Sequence, residues 1–301
     1  MDGTGQHLIG GISGGNIYFS SDFGASYSQS NAPNRLWISI ALSKCGPYSY
    51  AVEQSYGNIY YSTTYGSTWT VVNNFNISVA TQIVTDSTGQ YVYAVGRSDT
   101  RFYYSLNNGV SWSVYSSSSC TRYGYFTLAV DGTGRHIFVA EAVAGGSKLY
   151  RFQLSSSSTI SLVTSKALPT TVFSLTSSIL PIVNSTFHLV LAGYYGPVYY
   201  SAKSGSSFTQ SQGAPYASWR TIASSANGTY VTVGGNAGVY CSSNFGATFT
   251  VTSLQATNLV WSSIAVSSSG RLQAVVASGS IFYYSSNFAS SWAATHYNSS
   301  Q

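Results

Sequence analysis

Charge is the first thing this sequence lacks. Only 6% of its 301 residues are Asp, Glu, Lys or Arg, seven of them acidic and twelve basic. The net charge of +5 is carried by isolated side chains, and no block of consecutive lysines or arginines exists to lay a positive stripe along phosphates. That argues against a nucleic-acid partner. The three cysteines, Cys45, Cys120 and Cys241, are far apart and odd in number, which excludes a disulfide framework and the close pairs of a zinc site. Buried free thiols are expected instead. The four histidines, His7, His136, His188 and His296, are equally dispersed, and no glycine-rich phosphate loop precedes a helix. No metal or other cofactor is therefore expected. Long apolar runs are missing too: no stretch approaches the roughly 18 residues of a membrane-crossing helix, so no transmembrane segment is read. Met1-Asp2-Gly3 has neither the basic start nor the apolar run of a signal peptide. The Asn-x-Ser/Thr triplets at Asn76, Asn184, Asn227 and Asn298 are what so much Ser and Thr produces by chance, and the compartment stays open.

What is present is a β composition. Met, Leu, Glu and Lys are scarce, whereas the chain holds 26 tyrosines and 29 glycines and is 44% hydrophobic. The stretch Ser242-Ser-Asn-Phe-Gly-Ala-Thr-Phe249 recurs as Ser20–Tyr27, Ser62–Trp69, Ser105–Trp112, Ser201–Phe208 and Ser285–Trp292. The pattern is Ser-x-Asp/Asn-x-Gly-x-Ser/Thr-aromatic, usually after an Ile-Tyr-Tyr run. Its key positions are Asp22, Gly24, Gly66, Asn107, Gly109, Gly205, Asn244, Gly246 and Asn287, with Thr64, Lys203 and Ala289 as departures. Successive motif glycines lie about 42 residues apart, and the double interval from Gly109 to Gly205 leaves room for one decayed copy, at Gln153–Thr159.

Around each motif the same four strands can be read. In the last repeat they are Trp261–Val266, Arg271–Ala277, Ser280–Ser285 and a strand from Trp292, joined by tight turns. A period of 40 to 50 residues with four strands in each unit predicts an all-β, seven-bladed β-propeller of antiparallel blades. Packing such sheets side by side covers both apolar faces of every blade, which none could do alone. The expectation is one propeller domain over 1–301, with blades at about 1–31, 35–74, 78–117, 123–165, 171–211, 217–254 and 259–301.

The motif resembles the Asp-box, or BNR repeat, of sialidases and other propeller families. The resemblance implies that the acid or Asn accepts N–H bonds inside the turn, that Gly takes a conformation other residues resist, and that the aromatic packs between blades. It also implies that these turns are structural and lie on the rim away from any active centre. Asp22 is accordingly not a catalytic candidate.

Met1–Gly5 (MDGTG) aligns with Val130–Gly134 (VDGTG), the end of a first strand and its turn. The first blade is therefore expected to lack its innermost strand. Either upstream residues supply that strand, or the edge is exposed and open to strand addition by a partner.

In this strand order, the loops between strands two and three and those joining blades share the face opposite the motif turns. That face is predicted to receive Arg35, Glu53, Arg97, Asp99, Arg101, Arg122, Glu141, Tyr194, Tyr195, Trp219 and Arg220, with Tyr56, Lys148, Lys166 and Tyr216 among them. The sialidase resemblance would ask three arginines (Arg35, Arg122 and Arg220) to hold a carboxylate and Glu53 or Glu141 to activate a tyrosine. The Arg-Ile-Pro segment that opens sialidase domains is absent, and acids are few. The favoured reading is a non-enzymatic binding or scaffolding propeller that recognises a protein or glycan through this loop face. A sialidase-like glycoside hydrolase and a glycan-binding lectin are the alternatives.

Overall fold

The computed structural model describes residues 1–77, 79–96, 101–116, 125–142, 147–169, 172–177, 187–255, 259–277 and 282–295, which build seven antiparallel sheets and an all-β fold. In the first sheet β1 (Leu8–Gly11) pairs with β3 (Ile17–Ser20) and β3 with β4 (Ser28–Gln29), while β2 (Ser13–Gly15) leaves to join the next sheet. That sheet continues with β5 (Arg35–Leu42), β6 (Ser49–Glu53), β7 (Asn58–Ser62) and β8 (Thr70–Asn76). The third holds β9 (Ala80–Thr85), β10 (Val92–Gly96), β11 (Arg101–Ser105) and β12 (Ser113–Ser116). The fourth holds β13 (Tyr125–Val130), β14 (His136–Ala142), β15 (Lys148–Leu154) and β16 (Ile160–Ala167). The fifth has β17 (Val172–Ser177), β18 (Leu189–Gly193), β19 (Val198–Ser201) and β20 (Thr209–Gln210). The sixth has β21 (Trp219–Ser224), β22 (Val231–Gly235), β23 (Gly238–Ser242) and β24 (Thr250–Val251). The last has β25 (Trp261–Val266), β26 (Gln273–Ala277), β27 (Phe282–Ser285) and β28 (Ala293–Thr295). These are seven propeller blades, each a meander, and the first lacks the innermost strand that the others have. The chain divides into two compact units, Met1–Ala167 with four blades and Leu168–Gln301 with three.

Burial explains why the strands are apolar on both faces. Every residue of β6, β10, β18 and β22 is buried, as expected of sheets covered on each side by a neighbour. Polar side chains cross between adjacent blades of one unit at defined points. Tyr50 donates to the Gly89 carbonyl and Tyr93 to the Gly134 carbonyl, both at 2.6 Å.

The repeated turns sit at the β3–β4 position of each blade and its equivalents. Ser242 Oγ accepts the Gly246 N–H at 3.0 Å, Asn244 Oδ1 accepts the Thr248 N–H at 2.9 Å, and Asn244 Nδ2 donates to Thr248 Oγ1 at 2.8 Å. The chain passes through two consecutive left-handed residues, Phe245 (φ 62) and Gly246 (φ 81). A Cβ on Gly246 would also lie 2.8 Å from Val190 of the preceding blade, so glycine serves both the turn and the packing. Asp22, Asn107 and Asn287 make the same bond to the N–H four residues on, at 2.9 to 3.0 Å. Thr64 substitutes its hydroxyl at 3.0 Å, and Ala289 accepts φ 65 in place of glycine. At Lys203 the acceptor is lost, but Ser201 Oγ still takes the Gly205 N–H at 3.0 Å.

Candidate functional site

The side of each blade away from these turns begins with a feature that alternation does not reveal. In five blades the first full strand carries one extra residue relative to its neighbour: Ile38, Thr81, Phe173, Arg220 and Ser262. Such a bulge re-aims the side chains on either side of it. In three of these blades the residue after the bulge reaches the next blade of the same unit. Ser39 Oγ accepts the Ile83 N–H at 3.1 Å, Gln82 Oε1 the Leu128 N–H at 2.8 Å, and Thr221 Oγ1 the Ile264 N–H at 3.1 Å. Where the residue before it is tryptophan, as at Trp37, Trp219 and Trp261, that residue is buried, while Ile38, Arg220 and Ser262 are exposed. Sequence reasoning missed these positions, although Trp-x-Ser/Thr-Ile recurs as WISI, WRTI and WSSI.

In the first unit, Arg35 and Glu53 are brought together. Arg35 Nε lies 3.2 Å from Glu53 Oε2, and the Asn58 amide donates to Glu53 Oε1. Arg35 is partly exposed but Glu53 is fully buried, so this carboxylate holds the β6–β7 hairpin and is not open to a ligand. Glu141 is also fully buried. It does approach a tyrosine, accepting from Tyr150 Oη at 2.9 Å, but Tyr150 is itself in the core and stacked on Phe152. A nucleophile there would meet no substrate. Both glutamates thus correct the expectation of a ligand-face role: they occupy the buried ends of second strands, where other blades carry Gly or Ala. Arg101 is exposed, with its guanidinium carbon 5.8 Å from the Tyr103 ring centre. Lys148, Lys166 and Tyr56 are exposed as well. Arg97, Asp99 and Arg122 lie outside the described residues.

The remaining described acids serve turns. Asp2 accepts the Gly5 N–H at 2.7 Å, Asp86 the Tyr91 N–H at 2.9 Å, and Asp131 the His136 N–H at 2.9 Å. Asp22 is held down to about 2, first by the Ser26 hydroxyl, then by the Ser26 N–H and Ser20. Its carboxylate is stabilised in the ionised form by local donors, which is turn chemistry and not acid catalysis. Burial lowers His188 and His136 from the ordinary histidine range, and for His136 Arg151 adds to the effect against Asp131. Burial pushes the Cys241 thiol up to about 12, so it is not a nucleophile at neutral pH. Cys45 is exposed, contrary to the expected burial. Cys120 lies outside the described residues. Among the described residues no group of three potential ligands gathers to hold a metal.

The second unit concentrates exposed aromatics. Tyr194 and Tyr195 form the β18–β19 loop, their rings 4.5 Å apart and edge to face. Tyr195 is left-handed (φ 51) and 72% exposed. Tyr216, in the connection to β21, is 73% exposed. The two segments are tied by a bridge in which Gly196 N donates to Ala217 O at 3.1 Å and Ala217 N to Gly196 O at 3.2 Å. Tyr195 and Tyr216 are each one residue from this bridge, and Arg220 is exposed at the bulge four residues beyond Tyr216. Trp219 departs from the expectation: it is fully buried against Tyr240, ring centres 5.5 Å apart, and lines no surface.

No family model matches the sequence, and no curated protein matches it. Solved structures do. The propeller domain of Cps50 (Swd1) from Myceliophteria thermophila shares 12% identity over 92% of each chain, with a TM-score of 0.69. YCF48 from Cyanidioschyzon merolae shares 11% identity over 93% of this chain and 90% of its own, at 0.64. A YCF48 bound to a D1 peptide shares 11% over 90% and 85%, at 0.62. The class is thereby the β-propeller. At these identities the likeness carries the fold alone, and no particular family is assigned.

Proposed function

We propose that this chain is a non-enzymatic propeller that binds a protein partner through its loop face, with Tyr194, Tyr195 and Tyr216 as principal contacts. The carrying observation is their exposure on two segments pinned by the Gly196–Ala217 bridge. Tyrosine offers a large flat surface and a polar tip at small entropic cost, and a fixed pair of loops loses little freedom on binding. Arg220 adds a charged donor beside them. The structural similarity to a YCF48 bound to a D1 peptide supports a peptide-like ligand. We further read the six turns as Asp-box (BNR) turns, so that the chain would be a non-catalytic relative of that group. The engagement of every described acid in a turn or a buried pair supports the absence of glycosidase chemistry.

The test screens the wild-type chain and a Tyr195→Ser/Tyr216→Ser variant against a displayed random-peptide library and a glycan array. Peptides recovered by the wild type and lost by the variant are expected. Sugars alone would replace the protein reading with a lectin. Turnover of a fluorogenic sialoside that is lost in Glu53→Gln or Glu141→Gln would replace it with a hydrolase.

A further inference from the structure

Charge is divided unevenly between the two units. Every Asp and Glu of the chain lies in Met1–Ala167, whereas Leu168–Gln301 contains none and carries Lys203, Arg220 and Arg271. Two of these three cations are on the turn rim. Lys203 belongs to the motif turn of the fifth blade, and Arg271, in the turn before β26, donates Nε to Ser286 O at 3.0 Å. Arg220 is therefore the charged side chain that this unit places on its loop rim, beside Tyr194, Tyr195 and Tyr216.

Arg220 differs from the other described arginines in what it touches. Arg35 meets Glu53 Oε2 at 3.2 Å, Arg135 donates to Ser155 O at 3.1 Å, Arg151 Nη2 lies 3.5 Å from His136 Nδ1, and Arg101 sits by the Tyr103 ring. Among the described residues Arg220 has no hydrogen bond, ion pair or ring contact. Its backbone is nonetheless held on both sides: Trp219 pairs with Gly235 and Thr221 with Gly234, and Thr221 Oγ1 accepts the Ile264 N–H at 3.1 Å. A bulge turns its extra side chain out of the ladder, and of Ile38, Thr81, Phe173, Arg220 and Ser262 only Arg220 is charged. The groups around it are donors as well. The Tyr195 and Tyr216 hydroxyls make no hydrogen bond among the described residues. Asn236, exposed in the β22–β23 loop, gives its carbonyl oxygen to the Ser218 N–H at 2.9 Å, which leaves its NH2 group to donate.

We infer that the peptide bound by this surface is acidic: a side-chain carboxylate of the ligand pairs with Arg220 while Tyr195 and Tyr216 pack on the residues beside it. This rests on the reading of the surface as a peptide site and adds the chemistry of the ligand. A guanidinium at the edge of an aromatic patch takes a carboxylate through a forked pair of N–H bonds and repels a cation. Within the unit no Asp or Glu competes for it. One cation suits one carboxylate. A nucleic-acid strand, whose affinity comes from many neutralised phosphates, would call for more.

The test pans two displayed nonapeptide libraries on the whole chain, identical except that the central residue is Asp in one and Asn in the other. The Asp library is expected to yield at least ~5-fold more bound clones, as a bond to a charged group is the stronger. A selected Asp peptide carrying a fluorophore is then titrated by anisotropy into the wild type, Arg220→Gln and Arg220→Lys. Arg220→Gln should weaken the Asp peptide at least ~5-fold and leave its Asn counterpart within ~2-fold. Arg220→Lys should fall between, since it keeps the charge and loses the fork. Unchanged urea midpoints in both variants would show that contact, not folding, is lost. Equal recovery from the two libraries, with binding still abolished by Tyr195→Ser/Tyr216→Ser, would overturn the acidic ligand and leave the peptide site standing. An equal loss for both peptides in Arg220→Gln would do the same. Recovery from neither library would overturn both readings, and tighter binding of a single-stranded oligonucleotide than of the Asp peptide would reassign Arg220 to phosphate.

Discussion

The two rims of the blades use their polar and aromatic residues in opposite ways. On the turn rim, Ser, Asp and Asn side chains close on the backbone within five residues, and aromatics cap their own turn: Trp69 Nε1 donates to Gly66 O at 2.8 Å and Trp112 Nε1 to Gly109 O at 3.0 Å. On the loop rim of the second unit, Tyr195 and Tyr216 remain open to solvent, while Trp219 between their loop and the next blade is fully buried. Repetition on one rim marks residues that the fold consumes. Variation on the other marks residues left available. Residues of similar chemistry should therefore respond very differently to substitution.

The largest effect is expected at Trp219. Trp219→Ala removes a fully buried ring packed on Tyr240 and should destabilise the second unit by about 3–5 kcal/mol, measured by urea unfolding. A loss below about 1 kcal/mol would mean that the ring is not a core element. Next comes Gly246→Val, where a β-branched residue would have to take φ 81 and meet Val190 at 2.8 Å. About 2–4 kcal/mol of destabilisation is expected. The seventh blade offers the reverse experiment. Ala289 already holds φ 65, so Ala289→Gly should stabilise by about 1 kcal/mol or less, seen as a raised urea midpoint.

Asp22 sharpens the comparison among the turns themselves, because Asn107, Asn244 and Asn287 do the same work without titrating. The Asp22 carboxyl falls from 3.8 to about 2 on folding, so its contribution is complete above the unfolded value and disappears as pH drops through the folded one. The stability difference between the wild type and Asp22→Asn should be constant above about pH 5 and shrink between about pH 4 and 2. A difference that stays flat to pH 2 would show that Ser26 and Ser20 do not stabilise the ionised form.

The same contrast explains what could be read from the sequence. Blade number and strand order were legible because Gly24, Gly66 and Gly109 keep one interval, and because each turn demands Gly or its equivalent for a local backbone reason. The missing strand was legible because Asp2 and Asp131 open the same hairpin. The bulges were not. Inserting Arg220 between Trp219 and Thr221 leaves an apolar-polar-polar string that a regular strand could also carry, and only the pairing with Gly234 and Gly235 shows the extra residue. Nor could the sequence separate Trp219 from Tyr195, since both are aromatics near a loop. The glutamates misled for a related reason: a charge beside a loop reads as solvated, but Glu53 and Glu141 are themselves buried and each found a polar partner, Arg35 and Asn58 in one case and Tyr150 in the other.

The smallest effect on stability is the most informative about function. Tyr195 and Tyr216 bury little of their rings, and the bridge that positions them is made by the backbones of Gly196 and Ala217. Tyr195→Ser/Tyr216→Ser should thus change unfolding free energy by no more than about 0.5 kcal/mol, the range of ordinary surface substitutions. If the pair are the contacts proposed, the same variant should lose at least ~10-fold in affinity for any peptide selected by the wild type, as expected when central aromatic anchors are removed. Gly196→Pro offers the complement: it deletes the bridging N–H while leaving both tyrosines, so affinity should fall through loss of loop order alone. Binding unchanged in the serine variant would move the ligand site away from this cluster, and a large loss of stability there would place the tyrosines with Trp219 as parts of the fold.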